Sequence, residues 1–164
     1  MIYIEELKEK ISQTKQSEIG RRLLLRGLQI EYGLSVLPEI SFGECGKPFF
    51  PAYPFIHFNI SHCDKAVACI ISNKRVGIDV ETINPFDKEL AQYICSPQEL
   101  ESVMNHPDQA LAFTILWTKK ESFCKLTGKG LNTRKEIQEL SINETLFNIY
   151  INEEKGYVTT VCIG

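Results

Sequence analysis

The stretch VGIDVE, residues 76 to 81, sets two carboxylates, Asp79 and Glu81, two positions apart in what otherwise reads as an apolar strand. Residues two apart on a strand share a face, with alpha carbons roughly 7 Å apart. Like charges at that spacing repel unless a cation stands between them. Further along, Glu121 and Lys125 lie four apart in a helical stretch, in the favourable order for a pair, with Trp117 one turn earlier on the same face. Taken singly, the helix pair reads as a surface ion pair worth about 0.3–0.5 kcal/mol, and the strand pair as a solvated face. Taken together, two strand carboxylates and one from a facing helix can surround a hard cation. Oxygen ligands without His or Cys suit magnesium rather than zinc, and magnesium shares its shell with phosphate oxygens. Lys47, Ser61, His62, Lys120 and Lys125 offer donors and positive charge for the remaining phosphates.

Other chemistries find less support. GECGKPF is not a Walker loop, because Gly43 and Gly46 enclose two residues instead of four and Pro48 follows Lys47 where Ser or Thr is needed. GKG at 128 to 130 follows a helix rather than a strand, so it is no dinucleotide fingerprint. His57, His62 and His106 have no Ser or Cys in a nucleophile elbow to activate. His106 precedes Pro107 at a helix end and suits a hydrogen bond there. His62, ending a strand beside Ser61, is the histidine placed to contact a ligand.

The elements that must position these residues follow from periodicity and punctuation. Ile4, Leu7, Ile11, Ile19, Leu23, Leu24, Leu28 and Ile30 fall at helical intervals, predicting helix from Ile4 to Tyr32 with a break near Gln13 to Ser17 and a stop at Gly33. The proline-rich stretch from Leu34 to Phe55 predicts loop or short edge strand. IHFNISH alternates, with Ile56, Phe58 and Ile60 opposite His57, Asn59 and Ser61. AVACII and VGIDVE read as two more strands, the latter with Val76, Ile78 and Val80 inward and Gly77, Asp79 and Glu81 outward. Three strands joined this closely are expected to be antiparallel neighbours. Ser96, Pro97 and Glu99 spell a capping box, and Asp108 and Gly128 bracket a long helix. LFNIYI and YVTTVCI around NEEKG read as a closing hairpin.

Composition bounds the class. The 164 residues are 43% hydrophobic and 24% charged, enough for one sizeable core or two small subdomains sharing one. Eighteen basic against 21 acidic residues, net −3, argue against a nucleic-acid-binding surface. Six cysteines at 45, 63, 69, 95, 124 and 162 show neither CxxC nor zinc-site spacing, as expected of small hydrophobes in a reducing compartment. The charged start MIYIEELKEKISQ has no signal-peptide run and nowhere do eighteen apolar residues follow one another, so a cytoplasmic location and no membrane partner are expected.

Four motifs, in order GKP (46–48), FNISH (58–62), GIDVE (77–81) and WTKKESFCKLTGKGL (117–131), together resemble the Sfp-type 4′-phosphopantetheinyl transferases across roughly Ser17 to Leu131. The resemblance implies Mg²⁺-dependent transfer of the phosphopantetheine arm of coenzyme A to a serine of an apo acyl or peptidyl carrier protein, with release of adenosine 3′,5′-bisphosphate. It implies Asp79, Glu81 and Glu121 as metal ligands and Glu121 also as base for the incoming serine. It further implies Lys125 at the departing phosphate, and Lys47, Pro48, Ser61, His62 and Lys120 around the coenzyme A nucleotide. Cys63 stands where serine is common after FNISH. The segment ahead of GKP is shorter than the family's, with Lys8, Lys10, Lys15 and Arg21 as loose counterparts of its basic residues, and the carboxyl-terminal half ends early, so weaker coenzyme A affinity is expected.

In the short holo-acyl-carrier-protein synthases the GKP and SH elements follow the KE helix, and the enzyme is a trimer. Here they precede GIDVE, which fits two fused halves with the site between them. The expected fold is therefore α+β, two pseudo-symmetric subdomains (1–78 and 79–164), each a small antiparallel sheet packed against a long helix, in a monomer. Apolar residues after the metal strand, Ile83, Pro85 and Phe86, are candidates for docking the carrier. Two rivals remain at this point: a non-catalytic relative that binds coenzyme A or a carrier, and an unrelated magnesium-dependent phosphotransferase. Intact Asp79, Glu81, Glu121 and Lys125 weigh against the first, and analysis of the product separates the second.

Overall fold

The computed structural model describes residues 1–43, 46–130, 133–140 and 146–164. The first sheet takes β1 (Ile2–Glu6), β4 (His57–His62) and β5 (Ala66–Ser72) in the order β1-β5-β4, every pairing antiparallel. The second takes β6 (Val76–Thr82), β7 (Phe147–Asn152) and β8 (Tyr157–Ile163) in the order β6-β8-β7, again antiparallel. A small hairpin, β2 (Ser41–Phe42) with β3 (Pro48–Phe49), precedes β4. Helix α1 (Gln13–Tyr32) packs on the first sheet and α4 (Gln109–Thr127) on the second, while α2 (Lys88–Ile94), α3 (Pro97–Asn105) and α5 (Arg134–Gln138) flank α4. Each half therefore repeats one plan: a strand, a long helix, then a hairpin whose second strand lies in the middle of the sheet. This is the mixed α+β architecture the sequence predicts.

Strand β5 explains how the halves share a core. Its Val67, Cys69 and Ile71 pack with Leu23, Leu24 and Leu28 of α1, whereas Ala66, Ala68 and Ile70 pack with Val76, Ile78, Val80 and Val161 of the second sheet. A strand covered on both faces must be apolar at every position, which is why AVACII does not alternate. Small alanines on the second face let the sheets approach.

Three expectations are corrected. The helical spacing of Ile4, Leu7 and Ile11 does not make a helix, because Ile2–Glu6 pairs with β5 as a strand and the helix begins at Gln13, capped by Ser12. Non-local pairing overrides the local period there. VGIDVE does not join β4 and β5 in one meander, since β6 leaves them and pairs with β8 in the second sheet. The outward face of β6 is not turned to water either: Gly77 and Asp79 are buried, beneath α4.

The punctuation reads as expected. Ser96 and Glu99 form the reciprocal capping box with Pro97 in the first turn of α3, Asp108 caps α4, and Gly33 and Gly128 end α1 and α4 in the left-handed region. His106 closes α3 with its Nδ1 3.1 Å from the Asp108 amide. Of the cysteines, Cys63, Cys69, Cys95, Cys124 and Cys162 are free and buried, and Cys45 lies outside the described residues.

Candidate active site

The site is made by the close approach of α4 to β6. A Cβ on Gly77 would overlap the Ser122 carbonyl oxygen and the Leu126 amide nitrogen, so only glycine lets the helix lie this low on the strand. On α4, Trp117, Glu121 and Lys125 recur every four residues and share one stripe. That stripe faces the same side of β6 that carries Asp79 and Glu81.

The contacts centre on Asp79, which is 2% exposed. Lys125 Nζ donates to its Oδ1 at 2.5 Å, and Ser61 Oγ donates to the same oxygen at 2.9 Å. Lys125 Nζ also donates to Ser61 Oγ at 3.0 Å. The other carboxylate oxygen, Oδ2, is buried and has no hydrogen-bond partner among the described residues. Burial pushes the Glu81 carboxyl up to about 7, and the Asp79 charge pushes it the same way; Lys125 and a hydrogen bond with Trp117 oppose them, and Glu121 adds a smaller push. Burial also raises the Glu121 carboxyl, with Lys125 opposing and Asp79 reinforcing the rise. Asp79, Glu81, Glu121 and Lys125 thus form one electrostatic neighbourhood, as the sequence predicts.

Among the described residues no three of His, Cys, Asp and Glu close on a common point as a ready ligand set; the Lys125 ammonium lies against Asp79 instead. The donor chemistry nevertheless fits a divalent cation. An orphaned buried carboxylate oxygen is a costly feature that a cation would satisfy. Glu81 and Glu121, raised first by burial and further by the Asp79 charge, are carboxyls a cation would return to the ionised form.

Beside this cluster runs a cleft of about 330 Å³ whose lining includes Lys47, Pro48, Glu121, Lys125 and Lys129. Lys47 is turned away from the open space: its ammonium donates to the carbonyls of Val76, Lys125 and Leu126 at 2.9, 2.5 and 2.8 Å, capping the negative end of α4. Burial, with the Arg75 charge, lowers its pKa to about 8. His62 ends β4 half-buried, one residue past Ser61. Lys120 does not reach the cleft. It is fully buried on the far stripe of α4, bonded to Glu99 Oε2 at 2.8 Å and to the Ile137 carbonyl at 2.7 Å, where it ties α3 and α5 to the helix.

The strand that carries FNISH contributes more than a ligand contact. Asn59 Oδ1 accepts from the Ile78 amide at 2.9 Å and Ser61 Oγ from the Val80 amide at 3.3 Å. These side chains satisfy the edge of β6 that β8 does not cover. Asn59 and Lys129 line the cleft although sequence reasoning assigned them no role there; the Asn59/Ser61 alternation on one strand face was the visible signal.

Residues 75–161 match the 4′-phosphopantetheinyl transferase superfamily, a span of just over half the chain. The chain belongs to that superfamily. Phosphopantetheinyl transferases similar to it include one of Bacillus subtilis, 39% identical over 137 residues, covering 77% of this chain and 61% of that protein. Another, gsp of Aneurinibacillus migulanus, is 40% identical over 119 residues, 71% of this chain and 49% of its own length. AcpT of Salmonella typhimurium is 40% identical over 114 residues, 66% of this chain and 56% of the relative. This superfamily member thus spans about half to three-fifths of the length of the curated relatives it matches.

Proposed function

We propose that the chain transfers the 4′-phosphopantetheine arm of coenzyme A to a serine of an apo acyl or peptidyl carrier protein and releases adenosine 3′,5′-bisphosphate. The observation that carries this reading is the Lys125–Asp79 bond, with Glu81 and Glu121 in the same electrostatic neighbourhood beside a cleft, in a chain of this superfamily. Asp79, Glu81 and Glu121 would hold Mg²⁺. When bound, Mg²⁺ offsets the charge of the coenzyme A pyrophosphate and helps align it for in-line attack.

The chain's own residues would do the rest. Lys125, 28% exposed, would exchange its bond with Asp79 for one to the departing phosphate. Glu121, at the cleft beside Lys125, would take the proton of the carrier serine. Lys47, Pro48 and Lys129 would shape the nucleotide end of the cleft, with Asn59 and Ile60 of β4 along its wall, while His62 lies outside the lining. On the other side of Glu81 a cavity of about 320 Å³ runs between Pro85, Phe113 and Trp117, where Phe86 meets Phe113 edge-on at 6.1 Å. That opening, which Glu81, Asn84 and Asp87 also line, is where we place the approach of the carrier. All of the proposed site residues belong to one chain, so a monomer would suffice, and free buried cysteines would suit a reducing cytoplasm. Among the described residues no helix is long and apolar enough to cross a membrane.

Mass spectrometry of apo carrier proteins incubated with the chain and coenzyme A tests the proposal. Addition of the phosphopantetheine mass with Mg²⁺, and none with chelator, is expected. No addition to any acyl or peptidyl carrier, under conditions where a full-length relative modifies it, would overturn the reading.

A further inference from the structure

We propose that Ser61 is a positioning residue for Asp79 and Lys125, not a contact to the coenzyme A nucleotide; this rests on the function proposed above. A serine hydroxyl has one proton and two lone pairs. Ser61 uses all three: the proton goes to Asp79 Oδ1 at 2.9 Å, and the lone pairs take Lys125 Nζ at 3.0 Å and the Val80 amide at 3.3 Å. The residue is 6% exposed. A phosphate oxygen could engage this hydroxyl only by breaking one of those bonds.

The arrangement has a consequence for Asp79. Ser61 stands on β4 and Asp79 on β6, strands that belong to different sheets and share no ladder. The hydroxyl ties Asp79 to β4 across that seam. It fixes Oδ1 toward Ser61 and Lys125 and leaves Oδ2, buried and without a partner among the described residues, as the oxygen a cation would satisfy. Groups that orient a ligating carboxylate in this way set metal affinity without touching the metal, and their loss costs about 10- to 100-fold.

The test uses the full chain and two readouts that separate the roles. Mn²⁺ affinity is measured by electron paramagnetic resonance without coenzyme A, and the ratio of affinities for coenzyme A and 3′-dephospho-coenzyme A by calorimetry. Ser61→Ala, checked for folding by near-ultraviolet circular dichroism, is expected to weaken Mn²⁺ by about 10- to 100-fold and to leave the ratio unchanged. Ser61→Thr, which keeps the hydroxyl, is expected to restore Mn²⁺ affinity. An unchanged Mn²⁺ affinity in Ser61→Ala overturns the inference, as does a fall in the ratio. Should the alanine variant not fold, the threonine variant decides. Its methyl group would crowd a phosphate bound there, so an unchanged ratio with near-normal Mn²⁺ affinity supports positioning and a reduced ratio overturns it. A wild-type chain that binds no Mn²⁺ but transfers the arm overturns this inference alone, whereas one that binds Mn²⁺ and transfers nothing overturns the proposed function alone.

Discussion

At the scale of single residues the question is how β6 tolerates two carboxylates in a buried strand. The answer differs for each. Asp79 is held by Lys125 and Ser61, whereas Glu81 is left with a raised pKa and a hydrogen bond with Trp117. A raised carboxyl pKa means that the folded state binds the proton more tightly than the unfolded chain. Stability of the metal-free protein is therefore expected to fall as pH rises from about 4.5 to about 7, where Glu81 ionises in the fold, and Glu121 adds in the same direction. Thermal melts in chelator across that window check it, and Glu81→Gln should flatten the dependence; a melting temperature that climbs through the window refutes the assignment. Mg²⁺ should stabilise more at pH 8 than at pH 5, because it competes with those protons. Glu121→Gln is expected to lower turnover by about 10²- to 10⁴-fold with little loss of coenzyme A affinity, measured by single-turnover mass spectrometry. The charged residues of this cluster were legible from type and spacing alone. The bonding of Ser61 and Lys47 was not, because a sequence shows which donors exist and not which acceptors have already taken them.

At the scale of elements, the site depends on how low α4 lies on β6. Gly77→Ala puts a methyl group into the backbone of α4 at Ser122 and Leu126, which cannot yield as a side chain would. Such overpacking costs about 3 kcal/mol or more. A lowered urea midpoint is expected, together with loss of activity in whatever fraction folds, since Glu121 and Lys125 would be lifted from Asp79. The capping box of α3 gives a smaller and cleaner effect. Ser96→Ala removes the acceptor of the Glu99 amide, at a cost of about 1 kcal/mol, while activity of the folded protein stays unchanged. A null change in midpoint would show that the cap is not limiting. Helix ends were readable because caps are local signals confined to a few residues. Strand β1 was not, because Ile4 and Leu7 satisfy a helical period and only the presence of β5, sixty residues away, decides the matter.

At the scale of the molecule, two copies of one plan share an apolar seam made by Ala66, Ala68 and Ile70 against Val76, Ile78 and Val80. The order of motifs hinted at two halves; where the seam runs depended on β6 leaving its neighbours in sequence, which no local pattern encodes. Because the seam belongs to both cores and the candidate site straddles it, the halves should not unfold separately. Asn59 offers a way to test this, as its Oδ1 is the acceptor for the Ile78 amide across the two sheets. Asn59→Ala leaves that buried amide without a partner, at a cost of about 1–3 kcal/mol. If the chain is one cooperative unit, the whole transition shifts to lower urea with an unchanged slope. Trp117, the single tryptophan, reports the second half by fluorescence, while far-ultraviolet circular dichroism reports both. The two probes should remain superimposable in wild type and variant alike. Separated midpoints, with Trp117 melting apart from the overall helix signal, would mean that the seam is weaker than its burial implies and that Asp79 and Ser61 are held together only when both halves are intact.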